Sequence, residues 1–490
     1  MKKATKIIIS LITALCVTGT AVAVDLLYSK KTAPTEELTL NTEQEKLRVG
    51  IISDLQLPDS SEPSHQTESL EKTLNMLNEK GIDALIISGD FTDLGTKKAW
   101  QSFSDIYTKA MKDSNAVPLF IMGNHDYWIR SFFESGDIPT PAKMQRRFTK
   151  YTGEYPLSHK VINGYHFIMW GSSNGSYDKS YTNKEWARAE IEKAIADNPQ
   201  NPVFVITHIN PTDTAYGSDE WGNDDINEVL SDYSEVISIS SHSHYSVIDE
   251  RSIWQGAYTA FTTQSLDYIE LESGKFNGSI PKDAYGNNMA TETPGCLYME
   301  IESSKITINR LEANTGKPLK EPWVINAPFG TKESLSNFTQ SRKNEYAAPV
   351  MNKNTAVSFE TIKDINSKEQ KIVSFPAAQD DDFVHSYRIA FKDESNKILS
   401  FDETDYDGNI IKYDKNGNKI LPDGKGYENA EVKKINNVLY FSDFMRGLGN
   451  MSETVSLRLV SNIPENAKYI EISAVDSWGA ESEKMSFELN

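Results

Sequence analysis

A chain of 490 residues is longer than one hydrophobic core can fill, so two or more domains are expected. Hydrophobic residues make up 38% and charged residues 24%, which excludes a disordered chain and a multi-span membrane protein. The formal charge of −20 excludes nucleic-acid binding through a broad basic face, although metal ions at a phosphate site can locally reverse the sign of the field.

The N-terminus carries Lys2, Lys3 and Lys6, followed by an uncharged run over 7–23 that closes on Ala21-Val22-Ala23, a small-x-small cleavage pattern. Residues 1–23 read as a secretory signal, with an uncleaved membrane anchor as the alternative, and imply a secreted or extracytoplasmic location. Cys16 follows Leu15, where a lipoprotein signal needs a small residue. Without the leader only Cys296 remains, which excludes an internal disulfide and a cysteine zinc site. Residues 24–45 lack hydrophobic period and read as a tether, with order beginning near Leu47.

Short β-branched runs then alternate with helical stretches: strand 47–53, helix 68–79, strand 84–88, helix 97–112 and strand 118–122. Strand 165–170, helix 184–197 and strands 202–207 and 236–240 continue the series. This is the signature of βαβ units in an α/β domain, assigned to 46–320, with all-β segments after Ser240. The insertion 127–160 carries Arg130, Arg146, Arg147 and Lys150, which either approach an anionic substrate or form a solvated helix face. Residues 321–352 read as a linker and 353–490 as a β-sandwich, with tight turns at Asp407-Gly408 and Asn416-Gly417. The last strands and the turn over 476–482 resemble a fibronectin type III domain. Glu403, Asp405 and Asp407 resemble half of a calcium loop, but a hairpin turn accounts for them as well.

Five segments fall where predicted strands end: Asp54-Leu55-Gln56, Gly89-Asp90-Phe91-Thr92-Asp93, Gly123-Asn124-His125-Asp126, Thr207-His208 and His242-Ser243-His244. In open α/β sheets ligands bind at the carboxyl ends of strands, so these endings are expected on one rim. Their oxygen and imidazole donors, without thiolates, suit Mn, Fe or Zn better than calcium or copper. His65, His159, His166 and His385 read as structural, the first two also as cleft-lining candidates. Tyr127, Trp128 and Trp221 read as pocket or core aromatics.

The order Asp-x-His, Gly-Asp, Gly-Asn-His-Asp, His, Gly-His-x-His resembles that of the calcineurin-like metallophosphoesterases over about residues 47 to 315. Gln56 stands where the usual pattern has His, and Ser241 where it has Gly. Gln at this place is similar to the manganese-dependent ADP-ribose and CDP-alcohol diphosphatases. The resemblance implies a four-layer α/β/β/α sandwich and two divalent metal ions, manganese favoured. It implies one ion on Asp54, Gln56, Asp90 and His244, and a second on Asp90, Asn124, His208 and His242, with Asp90 bridging. His125 is then the candidate general acid, its tautomer fixed by Asp126.

The expected activity is hydrolysis of a phosphodiester, phosphomonoester or diphosphate in a small phosphorylated substrate, by attack of a metal-activated water on phosphorus. The alternative is a metal- or ligand-binding module with lost catalysis. Cell-surface or cell-wall association through the C-terminal domain or the N-terminal segment is a further expectation.

Overall fold

The computed structural model describes residues 32–40, 46–129, 140–175, 181–352, 356–363, 368–420, 430–460 and 463–489. The leader, Cys16 and Arg130 lie outside these residues. No helix among the described residues is long and apolar enough to cross a membrane. The chain divides into two compact units, one of residues 1–247, 252–267 and 294–339, the other of 248–251, 268–293 and 340–490.

In the first unit the chain runs through β1 (Glu36–Leu38), β2 (Leu47–Ile52), α1 (His65–Glu79), β3 (Ala84–Ile87), α2 (Lys97–Ala110) and β4 (Val117–Phe120). It continues with α3 (Pro141–Thr152), β5 (Leu157–Ile162), β6 (Tyr165–Trp170), α4 (Lys184–Asp197), β7 (Val203–Ile206), α5 (Asp224–Leu230) and β8 (Val236–Ser240). It ends with β9 (Ile253–Gln255), β10 (Thr259–Thr262), β11 (Gly295–Glu302), β12 (Lys305–Glu312) and β13 (Pro318–Asn326). One sheet has the order β13-β12-β11-β2-β3-β4, the other β1-β5-β6-β7-β8-β10-β9. Strands β2, β3 and β4 are parallel, as are β6, β7, β8 and β10. Such strands, covered on both faces, need the near-continuous apolar runs seen in Ala84–Ile87 and Val203–Ile206.

The helices cover the outer faces. Leu70, Leu74 and Leu77 of α1, Trp100 and Phe103 of α2, and Phe148 of α3 pack on Ile52, Leu85, Ile87 and Phe120. Ala187 and Ile191 of α4 and Ile226 and Val229 of α5 pack on Ile168, Val203 and Val205. The alternate residues Val49, Ile51, Phe167, Phe204 and Ile206 are fully buried as well. Phe261 of one sheet meets Trp323 of the other at 6.5 Å between ring centroids, so the two sheets face each other between helical layers.

Three features depart from the sequence reading. The tether of 24–45 contains β1, which pairs with β5 in parallel at Glu36↔Lys160 and Leu38↔Ile162; an edge strand of three residues rests on backbone bonds and needs no apolar run. The insertion 127–160 builds α3 and β5, and Arg147 is buried with its guanidinium donating to Gly95 O, a structural part. The stretch expected as a linker from 321 opens with the end of β13, and the first unit runs to Thr339.

In the second unit the principal strands are β14 (Ser358–Lys363), β15 (Glu369–Pro376), β16 (Val384–Lys392), β17 (Val438–Phe441), β18 (Thr454–Arg458), β19 (Tyr469–Asp476) and β20 (Met485–Glu488). They form the antiparallel sheets β14-β15-β18 and β17-β16-β19-β20, beside smaller ribbons. Both sheets feed one core, with Val373, Phe375 and Leu457 against Tyr387, Ile389 and Ile472. This is a β domain; nothing beyond its strands supports the type III likeness. Asp405 accepts the Asn409 amide at 2.8 Å and its side-chain amide at 3.0 Å, so its carboxylate closes a hairpin and is spent there, and Asp414 repeats the turn with Asn418.

Candidate metal centre

The five strand endings meet on one rim. Past β2 the amides of Asp54 and Gln56 donate to Gly89 O and Asp90 O, each at 3.1 Å, so this loop runs alongside the loop after β3. Asp54, Gln56, Asp90, His242 and His244 all have left-handed backbone, with φ between 47° and 68°. The other four non-glycine residues with positive φ among the described residues are Asn or Asp, which adopt it readily. Asp and His also adopt it more readily than most residues, so Gln56 is the rim residue that the surrounding packing holds most against local preference, at a cost on the order of 1–3 kcal/mol. Two glycines permit the approach: a Cβ on Gly123 would run into Asp90 Oδ1, and one on Gly89 into His208 Nδ1.

Ligand atoms of Asp90, His208 and His242 lie within 4.8 Å of one another, as do those of Asp54, Asp90 and His244; Asp90 belongs to both groups. His208 Nε2 stands 3.3 Å from Asp90 Oδ2 and 2.9 Å from Asn124 Oδ1. His244 Nε2 stands 3.2 Å from Asp54 Oδ1, yet neither oxygen of the buried Asp54 accepts an aligned hydrogen bond among the described residues. Gln56 Nε2 donates to Asp90 Oδ2 at 3.2 Å; a half-turn of the amide exchanges that donor for its oxygen. Ser241 sets the His208 ring. Its Oγ donates to Ser88 O at 2.8 Å and lies 2.9 Å from His208 Nδ1, which is itself 2.9 Å from Ser88 O. With the Nδ1 proton held by that carbonyl, Nε2 is the nitrogen that faces the rim.

Burial alone would raise the carboxyls of Asp54 and Asp90, but His244 beside the first and His208 beside the second hold both below the usual range. Burial opposes charge on His208, and Asp90 with Asp54 outweighs it, raising the imidazole to about 9. His242 is pushed well below its ordinary value by burial and by neighbouring His208. Carboxylate, amide and imidazole groups converge on one point at which two buried carboxylates favour positive charge, and the residues fit divalent cations.

His125 N donates to Asp90 Oδ1 at 2.9 Å, and its Nε2 lies 4.0 Å from Asp90 Oδ2. The expected role of Asp126 is corrected here. In the tight turn His125–Tyr127 consecutive side chains diverge, and the Asp126 carboxylate accepts from Gly123 N at 3.0 Å, Thr92 N at 3.1 Å and Thr92 Oγ1 at 2.9 Å. His125 Nδ1 instead meets Asp93 O at 2.9 Å and Asp93 Oδ1 at 3.6 Å. Asp93 thus holds the position the sequence reading gave to Asp126; its place at the end of the Gly-Asp segment was the available signal. Trp128 is 41% exposed and lies 4.1 Å from the His125 ring, and Trp221 meets His242 edge-on at 5.7 Å. His65 pairs with Asp267, and His159 with Glu190 and His166, outside both groups.

Residues 47–246 match the family model described as calcineurin-like phosphoesterase. This stretch is a calcineurin-like phosphoesterase domain. No curated protein matches the chain. Among solved structures, a dimetal phosphatase from Danio rerio is 11% identical, with a TM-score of 0.38, 57% of this chain covered and 98% of that one. GAP50, the anchor in the inner membrane complex of Plasmodium, is 12% identical at a TM-score of 0.40, covering 60% and 96%. A purple acid phosphatase from yellow lupin seeds is 12% identical at 0.34, covering 58% and 54%. At that level of likeness nothing about substrate or partner transfers to the phosphoesterase domain.

Proposed function

We propose that the phosphoesterase domain hydrolyses a phosphate ester or anhydride in a small phosphorylated substrate, with two divalent cations held by Asp54, Gln56, Asp90 and His244 and by Asp90, Asn124, His208 and His242. The observation that carries this reading is the place of Asp90 in both ligand groups on a rim of left-handed backbone. Two such cations supply charge neutralisation at the phosphate oxygens and a more acidic water. The chain's own residues do the rest. Ser241 and Ser88 O orient His208, Asp93 orients His125, and His125 holds the proton that goes to the leaving oxygen. The oxygen and imidazole donors suit Mn, Fe or Zn, and manganese is favoured among them on the resemblance that Gln56 carries.

The test is hydrolysis of p-nitrophenyl phosphate, its bis ester and a nucleoside diphosphate by the chelated protein resupplied with Mn²⁺, Fe²⁺ or Zn²⁺. Turnover restored by metal in at least one class supports the reading. Two bound metals with no turnover in any class would leave a metal- or ligand-binding module, the reading favoured by the amide at Gln56 where imidazole is usual. Export is proposed with it, on the pattern of residues 1–23, with surface or cell-wall association through the tail domain or the N-terminal segment. Fractionation of the producing cells checks this, and activity confined to the cytosol would contradict it.

A further inference from the structure

Among the described residues, every exposed large hydrophobic side chain but one belongs to the second unit. The exception is Trp128, which is 41% exposed. A single exposed apolar side chain is ordinary on a protein surface, and it is the place of this one that is informative. Its ring centroid lies 4.1 Å from that of His125, with the two planes tilted by 38°. Trp221, by contrast, meets His242 edge-on with its indole nitrogen buried.

The exposure of Trp128 does not come from a loose chain. Trp128 N donates to His125 O at 3.0 Å, and Trp128 O accepts from Gly95 N at 2.8 Å, so both polar atoms of its backbone are tied. A Cβ on Gly95 would run into Asp126 O, which shows how closely the two loops approach. With His125 Nδ1 at Asp93 O, Nε2 is the nitrogen left for the leaving oxygen, about 3 Å away in a hydrogen bond. Hydrolysis joins the water oxygen to phosphorus and breaks the bond from phosphorus to the leaving oxygen. The electron pair of that bond stays on the leaving oxygen, which takes the His125 proton, and the proton given up by the water restores His125. The group carried on the leaving oxygen therefore begins within a ring's width of the indole. An aliphatic group there gains the area it covers, whereas a flat aromatic ring gains area and stacking together.

We propose that Trp128 is a stacking platform for an aromatic ring in the leaving group, so that the preferred substrates are phosphate esters of ring-bearing alcohols, nucleosides among them; this rests on the hydrolytic reading above. The test compares adenosine 5′-phosphate with ribose 5-phosphate, and 2-phenylethyl phosphate with 2-cyclohexylethyl phosphate, on the full-length protein supplied with Mn²⁺. Within each pair the leaving oxygen is that of a primary alcohol, and the difference is the aromatic ring. The aromatic member should have the higher kcat/KM by about tenfold, through KM, and Trp128→Ala should bring the ratio to about one while Trp128→Phe keeps most of it. A side chain that merely steadied His125 would lower both members alike through kcat, and a ratio that Trp128→Ala leaves unchanged overturns the proposal. Binding is read apart from turnover by saturation-transfer NMR, where adenosine should saturate with a Kd of ~1 mM and about tenfold more weakly in Trp128→Ala. Adenosine binding that Trp128→Ala weakens, in a protein that hydrolyses no phosphate, would uphold the platform and overturn the hydrolytic reading. Hydrolysis without any preference for the aromatic member would do the reverse.

Discussion

Two clusters of buried histidines in the first unit are built in opposite ways. In one, His159 Nδ1 meets Glu190 Oε2 at 2.5 Å, His159 Nε2 meets His166 Nδ1 at 2.9 Å, and His166 Nε2 meets Asp197 Oδ2 at 3.1 Å. Every ring nitrogen there has a partner in the polypeptide, and the backbone is ordinary strand. In the other, His208, His242 and His244 converge with Asp54 and Asp90 on a rim of left-handed backbone, in two groups of ligand atoms that share Asp90. Burial of a histidine therefore does not mark a site. Convergence of imidazoles and carboxylates on one point does, and the rim keeps strain that the His159 chain does not need.

The comparison is most sharply broken at His125. His125→Ala should keep both cations by elemental analysis and lose turnover by ~10²–10⁴-fold; loss of metal would instead make His125 structural. Ser241→Ala, which frees the His208 ring, should lower metal affinity by ~10–100-fold in a competition titration without moving the melting temperature much; unchanged affinity would show that Ser88 O alone orients the ring. The second cluster should behave in reverse. His159→Leu leaves Glu190 and a ring nitrogen of His166 without their bonds, so it should cost ~1–3 kcal/mol in denaturant unfolding while metal content and turnover stay as they are. A fall in metal content would erase the distinction between the clusters.

A smaller effect is expected in the second unit. His385 is buried against Phe444, and burial together with Arg251 and Lys275 holds its imidazole well below the ordinary value. The folded chain keeps it neutral while the unfolded chain takes up a proton near pH 6.5. Its stabilising contribution is therefore complete above that pH and is lost as pH falls, at no more than ~1.4 kcal/mol per pH unit. Unfolding of the full chain from pH 7.5 down to 5 should show this slope, and His385→Phe should flatten it. An equal slope in both proteins would place the titration elsewhere.

The rim was legible in the sequence because its residues are tied to strand ends, and strand ends follow from β-branched runs: Asp54 after Leu47–Ile52, Asp90 after Ala84–Ile87, His208 after Val203–Ile206. What lies one residue away from a motif was not legible. Whether Asp126 or Asp93 faces His125 depends on how a tight turn splays successive side chains, and no spacing records that. Strand β1 was missed because its pairing is made by backbone, and the passage of 268–293 into the second unit because tertiary packing leaves no local period. Ser241 looked like a missing glycine, yet its hydroxyl turned out to hold the His208 ring.

The central claim is that Asp90 stands between two cations. Anomalous diffraction from crystals of the whole protein grown with Mn²⁺ tests it directly. Two peaks are predicted, one among Asp54, Asp90 and His244 and the other among Asp90, His208 and His242. No peak, a single peak, or peaks that do not touch Asp90 would contradict it.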